Sequence, residues 1–108
     1  MLIVMRFLHT VFFWLKNPQD PQQCKKFKDA LYHFMQTSTY ANDPFIGRPA
    51  GTSRDVVDGS FTYSLSLIFD SEEKHGLYQN EPAHLEFLEV AAPLWERVAV
   101  YDSLAPEY

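Results

Sequence analysis

The chain's capacity for chemistry rests mainly on four histidines, one cysteine and a few arginines. Imidazole exchanges protons near neutrality, so its setting decides whether it can act as acid or base. His9 has the strand parity of Phe7, Val11 and Phe13, and His84 shares a helical face with Phe87, Leu88 and Ala91. Two imidazoles on apolar faces suit an acid–base pair. One ring would withdraw a proton α to a carbonyl while another group stabilises the enolate. The same rings equally suit a buried structural network of His and Tyr. His33 and His75 are expected on solvated helix faces. A metal held by His9, His84 and a carboxylate such as Glu81 or Glu86 has no His-x-x-x-His spacing behind it. The lone Cys24 excludes a Cys-based zinc centre and an internal disulfide, so neither metal nor cofactor is expected. Arg48 and Arg54 flank a Gly/Pro loop, where an anion site competes with plain pairing to Asp55 and Asp58. Asp102 is expected to fix backbone or a neighbouring loop.

These residues need a scaffold, and 108 residues allow one domain, spanning 1–108. Aromatics reach 16%, more than a small core demands, and such a surplus marks a ligand cavity or a subunit interface. Most of the rings still fill the core. The net charge of −5 and the absence of any concentrated Lys/Arg stripe disfavour nucleic acid as a partner. The opening MLIVMRFLHTVFFWLK is apolar, but Arg6 and His9 interrupt it and it is too short to span a bilayer. A buried strand explains it better, and a cytoplasmic location without membrane contact is the expectation.

From Phe7 to Leu15 both strand parities are largely apolar, as in a strand covered on both faces. The protein's own helices can cover one face; a second copy must cover the other. Asp20-Pro21 reads as N-cap and first helical residue, opening a helix over about 20–36 with Cys24, Phe27, Leu31 and Phe34 on one side. The stretch 37–60 is loop-like, with Phe45-Ile46-Gly47 as a short edge strand limited by Pro44 and Pro49. Asp58-Gly59 turns into an alternating strand over 61–69. Ser71, followed by Glu72 and Glu73, starts a helix running to about Gln79. A second helical stretch covers 83–92, and Arg97–Asp102 closes as a strand. The order β-α-β-β-α-β is that of an α+β, ferredoxin-like antiparallel sheet with helices on one face.

Three segments carry a resemblance to a known family. FLHTVFFWLK resembles the first strand of the stress-responsive A/B barrel (Dabb) family, an apolar run with a His and a closing Lys. DGSFTYSLSLIFDSEE resembles its third strand and the Ser-Glu helix start that follows. YQNEPAHLEFLEVAAPLWERVAVYD resembles its tail: a Tyr, Pro-Ala-His, an apolar helix, Trp, and a strand ending in Asp. The resemblance implies a ferredoxin-like protomer that packs sheet against sheet with a second copy into an α/β barrel.

One branch of that family comprises plant polyketide cyclases of the olivetolic acid cyclase type, which close rings without metal or cofactor. The tail is similar to that branch in its Pro-Ala-His and later Trp-Glu pair. By that likeness His9, Tyr78 and His84 line a pocket, with Tyr78 donating to a developing oxyanion. Glu81 stands where that branch carries a further His. Phe27, Leu31, Phe87, Leu88 and Trp95 would supply apolar ligand-binding walls. The resemblance thus implies a homodimer with a hydrophobic pocket for a small apolar or aromatic molecule. The alternative is a cofactor-independent cyclase, isomerase or lyase using the His/Tyr pocket. A haem-degrading monooxygenase of the related barrels is a third reading, and no His stands out as its proximal ligand.

Overall fold

The computed structural model describes residues 5–106; Met1–Val4, part of the apolar opening, and the last two residues of the expected domain lie outside the described residues. The chain runs β1 (Arg6–Leu15), α1 (Pro21–Thr37), β2 (Phe45–Gly47), β3 (Tyr63–Phe69), α2 (Glu72–Asn80), α3 (Pro82–Ala91), a short 3₁₀ turn (Ala92–Leu94) and β4 (Trp95–Ala105). The four strands form one antiparallel sheet in the order β2-β3-β1-β4. This is the expected ferredoxin-like arrangement.

Local chemistry sets the element ends. Asp20 Oδ1 accepts from the Gln22 amide at 2.9 Å and Pro21 opens α1, because the first helical amides have no partner within the helix. Ser71 Oγ accepts from the Lys74 amide at 3.2 Å and starts α2. Asp58 Oδ1 accepts from the Ser60 amide at 2.9 Å, forming the turn that leads into β3. Among the described residues the edge strand β2 pairs only with β3. At Gly47 a Cβ would lie 2.7 Å from the ring of exposed Phe45 and 3.1 Å from Ser64 Oγ, so a larger residue would require those side chains to shift.

Alternation in β1 sorts its side chains between two environments. Phe7, His9, Val11, Phe13 and Leu15 are all buried beneath the helices. Phe27, Leu31 and Phe34 of α1 and Phe87 and Ala91 of α3 complete that core with Leu65, Leu67 and Phe69. Fully burying each such side chain contributes roughly 1.5–3 kcal/mol. The opposite parity points away from the helices. Leu8 is 40% exposed and its cross-strand partner Ile68 36%. Phe12 packs edge-on against Phe61 and Tyr101 on that same open face. Trp14 donates to Ser60 Oγ at 3.0 Å, with the Arg97 guanidinium 4.1 Å above its ring. No helix among the described residues is long and apolar enough to cross a membrane.

Candidate functional site

The junction of α2 and α3 brings the sequence-nominated residues together. Glu81 precedes Pro82, and the proline ring disfavours helical backbone in the residue before it. Glu81 is accordingly extended, at φ −73° and ψ 153°. That break ends α2 and lets α3 start in a new direction, so Tyr78 and His84 face each other across it. Their ring centroids are 5.6 Å apart, edge to face. Tyr78 also meets His9 edge-on at 5.8 Å, and stacks on Phe34 of α1 at 5.2 Å. The three nominated residues therefore share one wall under β1, with Tyr78 between the two histidines.

Two residues from other elements extend the group. His9 and Asp102 are direct cross-strand partners in β1 and β4, and two such partners point to the same face of the sheet. His9 Nδ1 lies 2.7 Å from Asp102 Oδ1. An ionised carboxylate only accepts, so Nδ1 is the donor and Nε2 is the ring nitrogen that Asp102 does not engage. His75 of α2 stacks on Phe7 at 4.3 Å and places Nε2 3.2 Å from His9 Nδ1. The Gln79 amide, one helical turn on, lies 3.1 Å from the same Nε2.

Burial sets the protonation of the group. It pushes the Tyr78 phenol far up, and the Glu81 charge adds to this, so Tyr78 remains a donor. Burial, reinforced by His9, holds His84 and His75 below the usual imidazole value. His84 Nδ1 is buried with no hydrogen-bond partner among the described residues. An unpaired buried nitrogen costs about 1–3 kcal/mol, and a ligand group that reached it would recover that cost.

Several expectations need correction. His75 is not on a solvated helix face; it is half-buried between Phe7 and His9. Asp102 serves His9 rather than backbone or a loop. Glu81 and Glu86, the carboxylates considered for a metal with His9 and His84, are engaged elsewhere. Buried Glu81 accepts from the Ser38 hydroxyl at 2.5 Å and the Thr39 amide at 2.8 Å, tying the α2–α3 junction to the end of α1. Glu86 lies 3.5 Å from His33 on the surface. Of the apolar residues nominated for ligand contact, Phe27 and Leu31 are fully buried and Phe87 nearly so. Phe27 packs on Phe13, Tyr63 and Phe87, while Trp95 packs on Phe13 and Phe87. Leu88 is half-buried against the same core. Phe34, which touches Tyr78, His84 and Phe87, links that core to the histidine wall.

Asp102 was within reach of sequence reasoning. Antiparallel alignment of RVAVYD against FLHTVFF, with Val98 opposite Phe13, sets Asp102 opposite His9. His75 was harder to find, because its helix shows only weak amphipathic patterning.

The family model described as the Stress Responsive A/B Barrel Domain matches residues 7–105. No curated protein matches the sequence. Among solved structures, the chain resembles the hydroxynitrile lyase of Passiflora edulis, with a TM-score of 0.78 and 21% identity over 95% of each chain. A Dabb family protein with a ferredoxin-like fold from Mesorhizobium loti gives a TM-score of 0.76 and 19% identity, covering 92% of this chain and 95% of that one. A dimeric ferredoxin-like protein from Thermobifida fusca gives 0.75 and 18%, covering 95% and 93%. At these identities the likeness is one of fold.

Proposed function

The chain belongs to the stress responsive A/B barrel domain family, and from that premise we propose that it is a homodimer binding a small apolar or aromatic molecule on the His9–Tyr78–His84 wall. The observation that carries this reading is the buried, partnerless Nδ1 of His84, beside a phenol that stays protonated. A ligand with an apolar body and one carbonyl or hydroxyl group would pair with that nitrogen and pack on Phe34 and Tyr78. Dimerisation would cover the open face of the sheet around Leu8, Phe12 and Ile68, and the Thermobifida fusca neighbour is described as dimeric. In a cell the protein would work in the cytoplasm.

A second reading is favoured by the 2.7 Å His9–Asp102 pair. Asp102 fixes the tautomer of His9, so Nε2 can take a proton from carbon or oxygen while Tyr78 donates to the oxyanion that forms. That is the chemistry of a cofactor-independent cyclase, isomerase or lyase. The hydroxynitrile lyase of similar fold is compatible with a lyase but does not select it.

Both readings are tested by screening aromatic and β-keto compounds against the intact protein and His84→Ala. Expected is saturable binding that His84→Ala weakens at least tenfold while the dimer persists. Turnover of a bound compound, lost in Asp102→Asn, would select the enzyme. Equal binding by both proteins would remove the pocket reading.

A further inference from the structure

Three ligating atoms converge beside the His9–Tyr78–His84 wall, and the proposed pocket does not require two of the residues that carry them. His9, His75 and Asp102 each offer one such atom, all within 4.8 Å of one another. They come from β1, α2 and β4, so no local spacing pattern joins them. We propose that His9 Nδ1, His75 Nε2 and the Asp102 carboxylate form a binding site for a first-row divalent cation, with zinc(II) as its representative.

Geometry carries the assignment. Zinc–imidazole bonds are about 2.0–2.1 Å, which puts two nitrogens of a tetrahedral site about 3.3 Å apart. His9 Nδ1 and His75 Nε2 are already 3.2 Å apart. Asp102 Oδ1 is 2.7 Å from His9 Nδ1, a hydrogen-bond separation that must widen as the ion replaces the shared proton. The Asp102 side chain is 37% exposed on an edge strand, so it has room to move. Two imidazoles and a carboxylate are the donor set of zinc and of non-haem iron, and leave at least one coordination position open.

The surroundings favour a cation. Asp102 brings a carboxylate into the cluster and Glu72 lies in the first turn of α2, three residues before His75, while the cationic side chain of Lys74 is drawn toward Asp70 at 3.2 Å. Phe7 stacked on one face of His75 restrains the ring, as the shell around a metal ligand should. Burial grades outward from His9, through half-buried His75, to exposed Asp102, giving an ion a route from solvent. The cost is the Gln79 contact at 3.1 Å, which shares the His75 lone pair and must be given up.

The test is a zinc titration of the untagged protein against a competing chelating dye, followed by the imidazole NMR signals. Expected is one saturable zinc per chain with dissociation at or below about 10 µM, with His9 and His75 signals shifting and His33 unchanged. Asp102→Ala and His75→Ala should each weaken binding by about 10–100-fold. His84→Ala should bind zinc as the parent does, so failure of the ligand pocket and failure of the metal site are separable. If His75→Ala does not fold, Asp102→Ala alone decides. Absence of saturable binding, or parent-like affinity in Asp102→Ala, would overturn the proposal and leave a hydrogen-bonded cluster only.

Discussion

His9 and Asp102 are 93 residues apart in sequence yet exact cross-strand partners, with Nδ1 and Oδ1 at 2.7 Å. The hydrogen bond selects one tautomer of a ring that is 4% exposed. Asp102→Asn preserves the strand and its backbone ladder but offers the ring either a carbonyl or an amide. Nitrogen NMR of His9, recorded without added metal, should report the Nδ1–H tautomer in the parent and a mixture in the variant. An unchanged single tautomer in Asp102→Asn would mean that other contacts orient the ring.

The open face of the sheet makes a separate prediction. Leu8, Phe12, Trp14 and Ile68 are apolar or aromatic and none is buried by the chain itself. Sedimentation at micromolar concentration should give twice the 12.6 kDa chain mass. Phe12→Asp should yield monomer of reduced stability, since dimers built on sheet faces often lack a stable free subunit. A folded monomer in the parent protein would contradict the barrel.

Glu81 should matter to stability rather than to chemistry. Its buried carboxylate accepts from the Ser38 hydroxyl and the Thr39 amide, and Ser38 Oγ accepts in turn from the Ala41 amide at 2.9 Å. Glu81→Ala removes the buried acceptor of half-buried Ser38 and exposed Thr39, at about 1.5–3 kcal/mol. Denaturant unfolding should show that loss, and hydrogen exchange should rise first at residues 38–41. A neutral substitution would show that water replaces the carboxylate.

How far the sequence exposed this arrangement depended on whether a feature was local. Asp20, Ser71 and Pro82 set helix boundaries through their own backbone chemistry, and all three boundaries lie within a residue or two of expectation. The parity of β1 separated His9 from Phe12, and the structure places His9 under the helices and Phe12 on the open face. The closing strand extends beyond the expected Arg97–Asp102 to Trp95–Ala105, because ladder pairing with β1 continues where apolar alternation has faded. The site divided in the same way. Tyr78 and His84 were nominated through the family resemblance of the segment around Pro82, whereas Asp102 required strand register and His75 required the tilt of α2 over Phe7. Neither is encoded in spacing along the chain.

The loop before β3 should be the least protected segment. Residues 48–60 contain no strand or helix, and the exposed Val56 and Val57 there bury little apolar surface. Amide exchange should be fast across 48–57 and slow across β3, whose amides are shared with β1 and β2. The short β2 pairing should give intermediate protection at Phe45–Gly47. Uniform protection from 45 to 69 would show that this loop packs more firmly than its exposure indicates.

The final prediction concerns pH. Burial lowers the His84 imidazole below its ordinary value of 6.5, and neighbouring His9 lowers it further. The folded state therefore binds a proton at His84 less readily than the unfolded chain does. Above about pH 6.5 both states hold the ring neutral, and the full contribution to stability is present. As pH falls through 6.5, the unfolded chain takes up the proton first, so unfolding gains and stability declines. The decline ends once pH passes the lowered folded value and both states are protonated. His75 is shifted in the same direction and adds to the slope. Replacing His84 by Gln removes the titration while keeping a polar group of similar size, so stability between pH 6.5 and 5 should fall less steeply than in the parent. The measurement is urea unfolding at closely spaced pH values, comparing slopes rather than absolute stabilities. Parallel slopes for the two proteins would mean that His84 titrates equally in both states, and that its buried nitrogen is more accessible to water than its packing against Tyr78 and Phe34 implies.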